Sequence, residues 1–168
     1  MPDVQARGAI LLCPPVGREY TYSHPAFVKL ATGLAQLGFA TLRFDYRSTG
    51  DSFERTGEDP EGFARDVRFA FEFVHRLGLA HTAIVGMRLG ANFVSIQRLA
   101  APVDAVVLWD PCVSGRSFLR EERAFALFAG IRMEENSDAP DLPAFKLSPE
   151  MAKEIANLDL LAAQPVPA

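Results

Sequence analysis

The residues whose types and spacing most clearly suggest a functional site lie in a short turn between a predicted strand and a predicted helix, Gly86-Met87-Arg88-Leu89-Gly90. The two glycines suit a sharp turn, because a Cβ at either position would clash with nearby backbone. The residue between them stands at the N-terminus of the helix, where backbone N–H groups and the helix dipole favour negative charge. The sequence therefore directs attention to Arg88.

The side chain of Arg88 limits the chemistry that this turn could perform. The pattern is that of a G-x-S-x-G nucleophile elbow with arginine in place of serine. A guanidinium group stays protonated and has no acceptor lone pair, so it cannot be a nucleophile. It could instead bind a carboxylate, a phosphate or a thioester-linked acyl ligand. The alternative is a salt bridge to a nearby carboxylate such as Asp45 or Asp110.

Two cysteines and three histidines are the other reactive candidates. Cys13 and Cys112 lie at strand ends on the same rim, where either could replace the nucleophile if a neighbouring base activated it. A small buried cysteine is the more common case. We expect His24 to cap a helix or face solvent, His75 to lie on a helix surface and His81 to lie in a loop.

Among the acids, Asp110 is best placed for a cleft, because it follows a predicted strand; alternatively it caps the turn that Pro111 begins. Asp45 and Asp51 fit a role in structuring their loop. No His/Cys cluster has metal-ligand spacing, and neither a P-loop nor a dinucleotide motif occurs. We therefore predict neither a metal nor a cofactor.

Short apolar runs alternate with amphipathic segments, which predicts a parallel sheet with right-handed crossovers. The predicted strands are 9–13, 40–44, 82–86 and 105–109. Helices are predicted from Ser23, with Pro25 in the first turn, to Leu37; from Asp59-Pro60 to Leu77; and over 89–100. Residues 118–128 and the segment from Ser148 predict two more, with no further clear strand. The phenylalanines of the second helix are predicted to serve core and helix packing rather than to bind a cofactor: Phe63, Phe69, Phe71 and Phe73.

The composition is that of one globular domain. The 168 residues are 49% hydrophobic and carry a formal charge of −4. This mild acidity argues against binding to nucleic acids or anionic membranes. The first residues contain no apolar signal core, and no apolar run approaches the roughly 20 residues of a membrane span. Two cysteines are too few for a disulfide scaffold, so a cytoplasmic location is expected.

Four stretches together resemble an α/β-hydrolase of the bacterial serine aminopeptidase-like group, and most nearly the hydrolases that accompany exosortase systems. They are residues 12–20, residues 42–52 with Ser48 where a D-x-R-G-x-G-x-S segment usually has glycine, the turn at 86–90, and residues 108–116. The resemblance covers residues 8 to about 116, and extends more loosely over a helical lid to Leu161.

This resemblance implies a partial α/β-hydrolase fold, a mainly parallel sheet flanked by helices with a helical lid segment. The incomplete core would span residues 1–110 and the lid residues 111–168, with strands 9–13 and 82–86 side by side. An oxyanion hole would use the backbone N–H of Leu89 and one near Val16 and Gly17. Together with Arg88 and Asp110 these residues would line a ligand cleft.

The resemblance also defines the functional alternatives. The triad order on this fold is Ser, then Asp or Glu, then His, whereas all three histidines here precede Arg88. We therefore expect a chain related to serine ester, thioester or peptide hydrolases that is inactive or incomplete by itself. The alternatives are a non-catalytic module that binds an acyl, ester or carboxylate ligand, and an enzyme with a cysteine nucleophile or a second chain that completes it. The apolar strand 105–109 would be a sheet edge and predicts self-association.

Overall fold

The computed structural model describes residues 6–47, 49–52, 62–96, 99, 101–130, 141–142, 145–146 and 149–162. Its centre is a parallel sheet of four strands in the order β2-β1-β3-β4. The strands are β1 (Ala9–Cys13), β2 (Ala40–Arg43), β3 (Thr82–Met87) and β4 (Ala105–Trp109). Strand β1 pairs in parallel with both β2 and β3. The four predicted strands and the adjacency of the first and third are confirmed.

Five helices accompany the described sheet. They are α1 (Arg18–Gln36), α2 (Gly62–His75), α3 (Leu89–Ser95), α4 (Gly115–Phe128) and α5 (Pro149–Asn157). In β1, Ile10 and Leu12 pack with Phe27 of α1, whereas Leu11 packs in the cluster that contains α2 and α3. Because helices cover both faces, β1 is apolar along its whole length. No helix within the described residues is long and apolar enough to cross a membrane.

The start of α1 differs from the prediction. The helix begins at Arg18, so Ser23 is not its cap, and Pro25 lies inside the helix. The Ser23 hydroxyl donates a hydrogen bond to the carbonyl of Tyr20 at 3.3 Å. Gly17, with a left-handed φ of 67°, is the residue immediately before the helix and ends the turn that follows β1. Ser23 and Pro25 gave only a local signal for the helix start. The residues before them are helical because they contact segments that are distant in the sequence.

Helix α2 corrects the prediction for its phenylalanines. Phe63 and Phe71 are buried, but Phe69 and Phe73 are 57% and 52% exposed. Positions 69 and 73 lie two residues from position 71, roughly on the opposite side of the helix. Leu77 lies beyond the helix end and is exposed. The predicted helix start at residues 59–60 and the predicted end of α3 near residue 100 lie outside the described residues.

The segment after β4 is mainly helical but contains a small antiparallel sheet. This sheet pairs β5 (Asp141–Leu142) with β6 (Phe145–Lys146), so the expectation of no further strand is wrong. Strands of two residues are too short to give an alternating pattern. Helix α4 begins three residues before its predicted start, and α5 packs against it. The Gly115 N–H donates to the Leu158 carbonyl at 2.9 Å. The predicted boundary at residue 110 stays a prediction.

Strand β4 is an edge of the described sheet, because it pairs only with β3 there. Its apolar side chains are largely exposed, with Val107 at 50% and Trp109 at 42%. Strand β2 forms the other edge. The elbow after β3 therefore lies one strand in from an open edge.

Candidate functional site

The turn between β3 and α3 has the strained backbone of an elbow. Arg88 connects the two elements with φ 53° and ψ −124°. A non-glycine residue in such a conformation costs on the order of 1–3 kcal/mol. Its N–H donates to the carbonyl of Trp109 at 3.1 Å, and its carbonyl accepts the N–H of Ala91 at 3.1 Å. The elbow is thereby fixed to the end of β4 and to the first turn of α3.

The two glycines of the elbow are required for steric reasons, as predicted. A Cβ on Gly86 would lie 2.6 Å from the Cα of Ala91. A Cβ on Gly90 would lie 2.6 Å from the carbonyl oxygen of Cys13 and would also overlap the carbonyl oxygen of Pro14. The close approach at Gly90 places the elbow against the turn that follows β1, whereas the one at Gly86 places β3 against the first turn of α3.

That turn carries the residues predicted to help form an oxyanion hole. Val16 is buried, and so is Leu89, the first residue of α3. Gly17 has a left-handed φ of 67°, and its carbonyl accepts the N–H of Tyr20 at 3.2 Å. The turn and the elbow are brought together by the contacts of Gly90. The catalytic role of the backbone N–H groups stays a prediction.

The guanidinium of Arg88 faces three carboxylates. Its Nε donates to Glu19 Oε1 at 2.8 Å. Its Nη1 lies 3.6 Å from Asp110 Oδ2, and its Nη2 lies 3.4 Å from Glu121 Oε2. Asp110 is thus one of the partners that the salt-bridge interpretation named. The shortest contact, to Glu19, was not predicted, because the sequence pattern placed residue 19 before the helix rather than in its first turn.

Asp45, the other partner considered for Arg88, is engaged elsewhere. The Tyr20 hydroxyl donates to Asp45 Oδ1 at 2.6 Å, and the Asp51 N–H donates to its Oδ2 at 3.1 Å. The Ser52 hydroxyl donates to the Asp45 carbonyl at 2.9 Å. Burial and the bond to Asp45 raise the pKa of Tyr20 to about 12. Asp45 therefore organises the loop after β2.

A second ion pair lies beside the first. Arg18 Nη2 donates to Glu122 Oε1 of α4 at 2.8 Å, and Glu122 is only 2% exposed. The Arg18 guanidinium also lies 4.1 Å from the ring centroid of Phe125, within cation–π distance. Because Arg18 and Glu19 are consecutive, the first turn of α1 joins the elbow to α4.

The pKa values of both members of the Glu19–Arg88 pair are raised, for different reasons. Burial raises the pKa of Glu19; the hydrogen bond and charge of Arg88 oppose this rise, and the charge of Glu122 adds to it. Burial alone would lower the pKa of Arg88, but the hydrogen bond to Glu19 and the negative charges around the guanidinium together outweigh this effect, so the pKa of Arg88 is raised. Arg88 is therefore a permanently charged group at this site.

Asn92 positions the chain after β4 and was not predicted. Its Nδ2 donates to the Cys112 carbonyl at 2.7 Å, and the Cys112 N–H donates to its Oδ1 at 3.1 Å. Asn92 is buried on α3, four residues after the elbow arginine. A polar residue on the buried face of a helix was the signal that could have identified it. Asp110 lies just before this clamp, with a left-handed φ of 46°.

Neither cysteine has the properties of an activated nucleophile. Both thiols are free and buried. Burial raises the pKa of Cys112 to about 12 although Arg88 opposes the shift, and burial also raises the pKa of Cys13. A thiol is nucleophilic as its thiolate, and these thiols are protonated at neutral pH.

The three histidines make their contacts away from the elbow. His24 Nε2 lies 3.4 Å from Arg43 Nη1, and His81 Nδ1 lies 3.4 Å from Asp104 Oδ1. His75 stacks on Phe71 at the end of α2. Within the described part of the chain, no group of three or more potential ligands could hold a metal ion.

Comparison with known proteins gives a likeness of fold. No protein-family model matches the sequence, and no curated protein is significantly similar to it. A protein from Agrobacterium vitis S4 with a provisional hydrolase name has a TM-score of 0.58 at 19% identity, covering 95% of this chain and 64% of that one. A hypothetical protein from Pseudomonas aeruginosa has a TM-score of 0.54 at 16% identity, covering 94% and 64%.

At 19% and 16% identity, the similarity to these two structures shows the fold alone. The chain spans about 64% of the length of either structure. Its four parallel strands and flanking helices form a partial α/β-hydrolase-like fold.

Proposed function

We propose that this chain is related to the α/β-hydrolases but does not catalyse hydrolysis at its elbow, and that Arg88 serves there as a structural ion-pair centre. The observation that carries the proposal is the 2.8 Å contact from Arg88 Nε to Glu19 Oε1, made from the elbow position itself. The arginine links α1 through Glu19, the end of β4 through Asp110 and α4 through Glu121.

Two physical arguments support this proposal. A guanidinium has no lone pair with which to attack a carbonyl carbon, whatever other residues surround it. The hydrogen bond to Glu19 also holds the side chain in place, so it is not free to follow a reacting group. Neither property of Arg88 depends on residues that lie elsewhere in the polypeptide.

The alternatives receive less support. An acyl or carboxylate ligand bound by Arg88 would have to compete with Glu19, Asp110 and Glu121 for one guanidinium. A second chain pairing with β4 could complete the sheet but could not turn residue 88 into a nucleophile. A likeness specifically to serine aminopeptidases, or to the hydrolases of exosortase systems, stays a prediction from the sequence motifs.

A hydrolysis assay tests the proposal directly. The chain is incubated with p-nitrophenyl acetate, p-nitrophenyl butyrate and an aminoacyl p-nitroanilide, in parallel with the Arg88→Ala variant. We expect equal rates for both proteins, linear in substrate concentration, because neither Arg88 nor the two buried cysteines can act as an activated nucleophile. Saturable turnover that falls in Arg88→Ala would give Arg88 a catalytic role and refute the proposal.

A matched control separates catalysis from general damage to the fold. Arg120 is an exposed arginine of α4 that donates to the Ser117 hydroxyl at 3.2 Å, so Arg120→Ala removes the same side chain from outside the elbow. Saturable turnover lost in Cys112→Ala but kept in Arg120→Ala would instead support the cysteine alternative.

A further inference from the structure

The ion pair between Arg18 and Glu122 is incompletely satisfied. Arg18 Nη2 reaches Glu122 Oε1 at 2.8 Å, but Arg18 Nε and Glu122 Oε2 are buried without a hydrogen-bond partner. Among the described residues, four buried side-chain polar atoms lack a hydrogen-bond partner. Two of them belong to this ion pair, and another, Glu19 Oε2, belongs to the adjoining ion pair. Buried polar atoms almost always find partners, so this concentration in one place requires an explanation.

The geometry of the pair explains why Arg18 Nε and Glu122 Oε2 have no hydrogen-bond partner. Nε and Nη2 lie on the same edge of a guanidinium, and that edge matches the two oxygens of one carboxylate. Glu122 places a single oxygen on a single N–H, so one donor and one acceptor of a possible bidentate pair remain unused. Its carboxylate is carried by the backbone of α4, which restricts how it can approach Arg18. A carboxylate on a free molecule has no such restriction.

We propose that Arg18 forms a binding site for a small carboxylate-bearing molecule, and that Glu122 occupies this site in the unliganded chain as an internal competitor. The ligand would accept hydrogen bonds from both Nε and Nη2 of Arg18. The ring of Phe125, 4.1 Å from the guanidinium, would form part of the wall. Because Glu122 is buried against Arg18, its carboxylate must move away from the guanidinium before the ligand can bind there.

The surrounding charges permit an anion at this position. Glu19 is compensated by Arg88 at 2.8 Å. The side chains of Asp110 and Glu121 are 70% and 65% exposed, so water and salt screen their charges. Glu122 is the one buried carboxylate among the described residues that directly opposes a ligand on Arg18, and the ligand would displace it from the guanidinium. This inference does not require Arg88 to be catalytically silent, because it concerns a different arginine.

The test measures the affinity of the full chain for butyrate by isothermal titration calorimetry. Glu122→Gln removes the competing charge with almost no change in shape, and we expect it to bind butyrate about tenfold more tightly than the wild type, or better, the value of one charge-assisted hydrogen bond. The double variant Arg18→Gln with Glu122→Gln is expected to lose this binding. Glu122→Ala, which removes the competitor completely, provides a second and independent reading.

The controls separate a specific site from a general effect of charge. Glu121→Gln makes the same change of charge at the neighbouring exposed position, and it should strengthen butyrate binding much less than Glu122→Gln. Butylammonium and butanol should give no binding in any variant. The proposal is overturned if Glu121→Gln and Glu122→Gln act equally, if butyrate binding survives the loss of Arg18, or if neither Glu122 variant binds butyrate more tightly than the wild type.

Discussion

Two substitutions of Arg88 separate the opposing contributions that this residue makes to stability. Arg88→Ala leaves Glu19, whose side chain is only 18% exposed, without its hydrogen-bonded partner. Breaking a fully buried pair costs about 3–5 kcal/mol, so for this partly exposed pair we expect a loss of about 2–3 kcal/mol in the free energy of unfolding. Arg88→Gly breaks the same pair but also relieves the backbone strain of a φ of 53°. It should therefore be about 1–2 kcal/mol more stable than Arg88→Ala.

Urea unfolding followed by tryptophan fluorescence measures both effects. Trp109 is the single tryptophan of the chain, and its carbonyl accepts the N–H of Arg88, so the probe lies at the elbow. A wild-type stability for Arg88→Ala would show that the Glu19 contact does not stabilise the fold. An Arg88→Gly variant no more stable than Arg88→Ala would show that the elbow is not strained. Either result would refute the corresponding half of the reasoning.

The same variants have a defined pH dependence. Burial raises the pKa of Glu19 above its ordinary value of 4.5, so the folded state binds this proton more tightly than the unfolded state does. The resulting stability is present below pH 4.5 and is lost as the pH rises through the folded pKa. In Arg88→Ala the opposing effect of Arg88 is gone and the pKa rises further. The stability difference from the wild type should therefore grow between pH 4 and pH 7, and a constant difference would contradict the assignment.

Three further predictions concern the surroundings of the elbow. Asn92→Ala should lower the free energy of unfolding by about 2–3 kcal/mol in the same urea titration, because two buried backbone groups of Cys112 lose their partners. Cys13 and Cys112 should not react with a thiol reagent at pH 8 in the folded chain and should both react after unfolding, since burial raises both pKa values. Val107→Lys should reduce self-association through β4 in analytical ultracentrifugation; equal sedimentation of an associated wild type and the variant would exclude that edge.

The elements of the fold were predictable where the signal was local. The apolar run of β1 and the glycines at positions 86 and 90 express burial on both faces and close backbone approach, and both can be recognised in a few residues of sequence. The start of α1 could not be predicted in the same way. Its first turn is held by Arg18 and Glu19, whose partners lie 104 and 69 residues away.

The composition of the site shows the same limit. The sequence identified Arg88 and Asp110 because they follow the strands β3 and β4 directly. It missed Glu19, Asn92 and Glu122, because each acts through a partner on another element, and no spacing in one segment encodes that contact. Prediction therefore succeeded for the backbone of the elbow and for the residues at strand ends, but not for the side chains that neutralise or clamp them.

The strained elbow conformation does not depend on the chemistry of the residue that occupies it. Gly86 and Gly90 allow the close packing, and the N–H of Arg88 is held by the carbonyl of Trp109; none of these contacts involves the side chain at position 88. The strain, on the order of 1–3 kcal/mol, is therefore present whichever non-glycine residue occupies position 88. The ion pairs of Arg88 are made in addition to this strained backbone, and they connect the end of β3 to α1 through Glu19 and to α4 through Glu121.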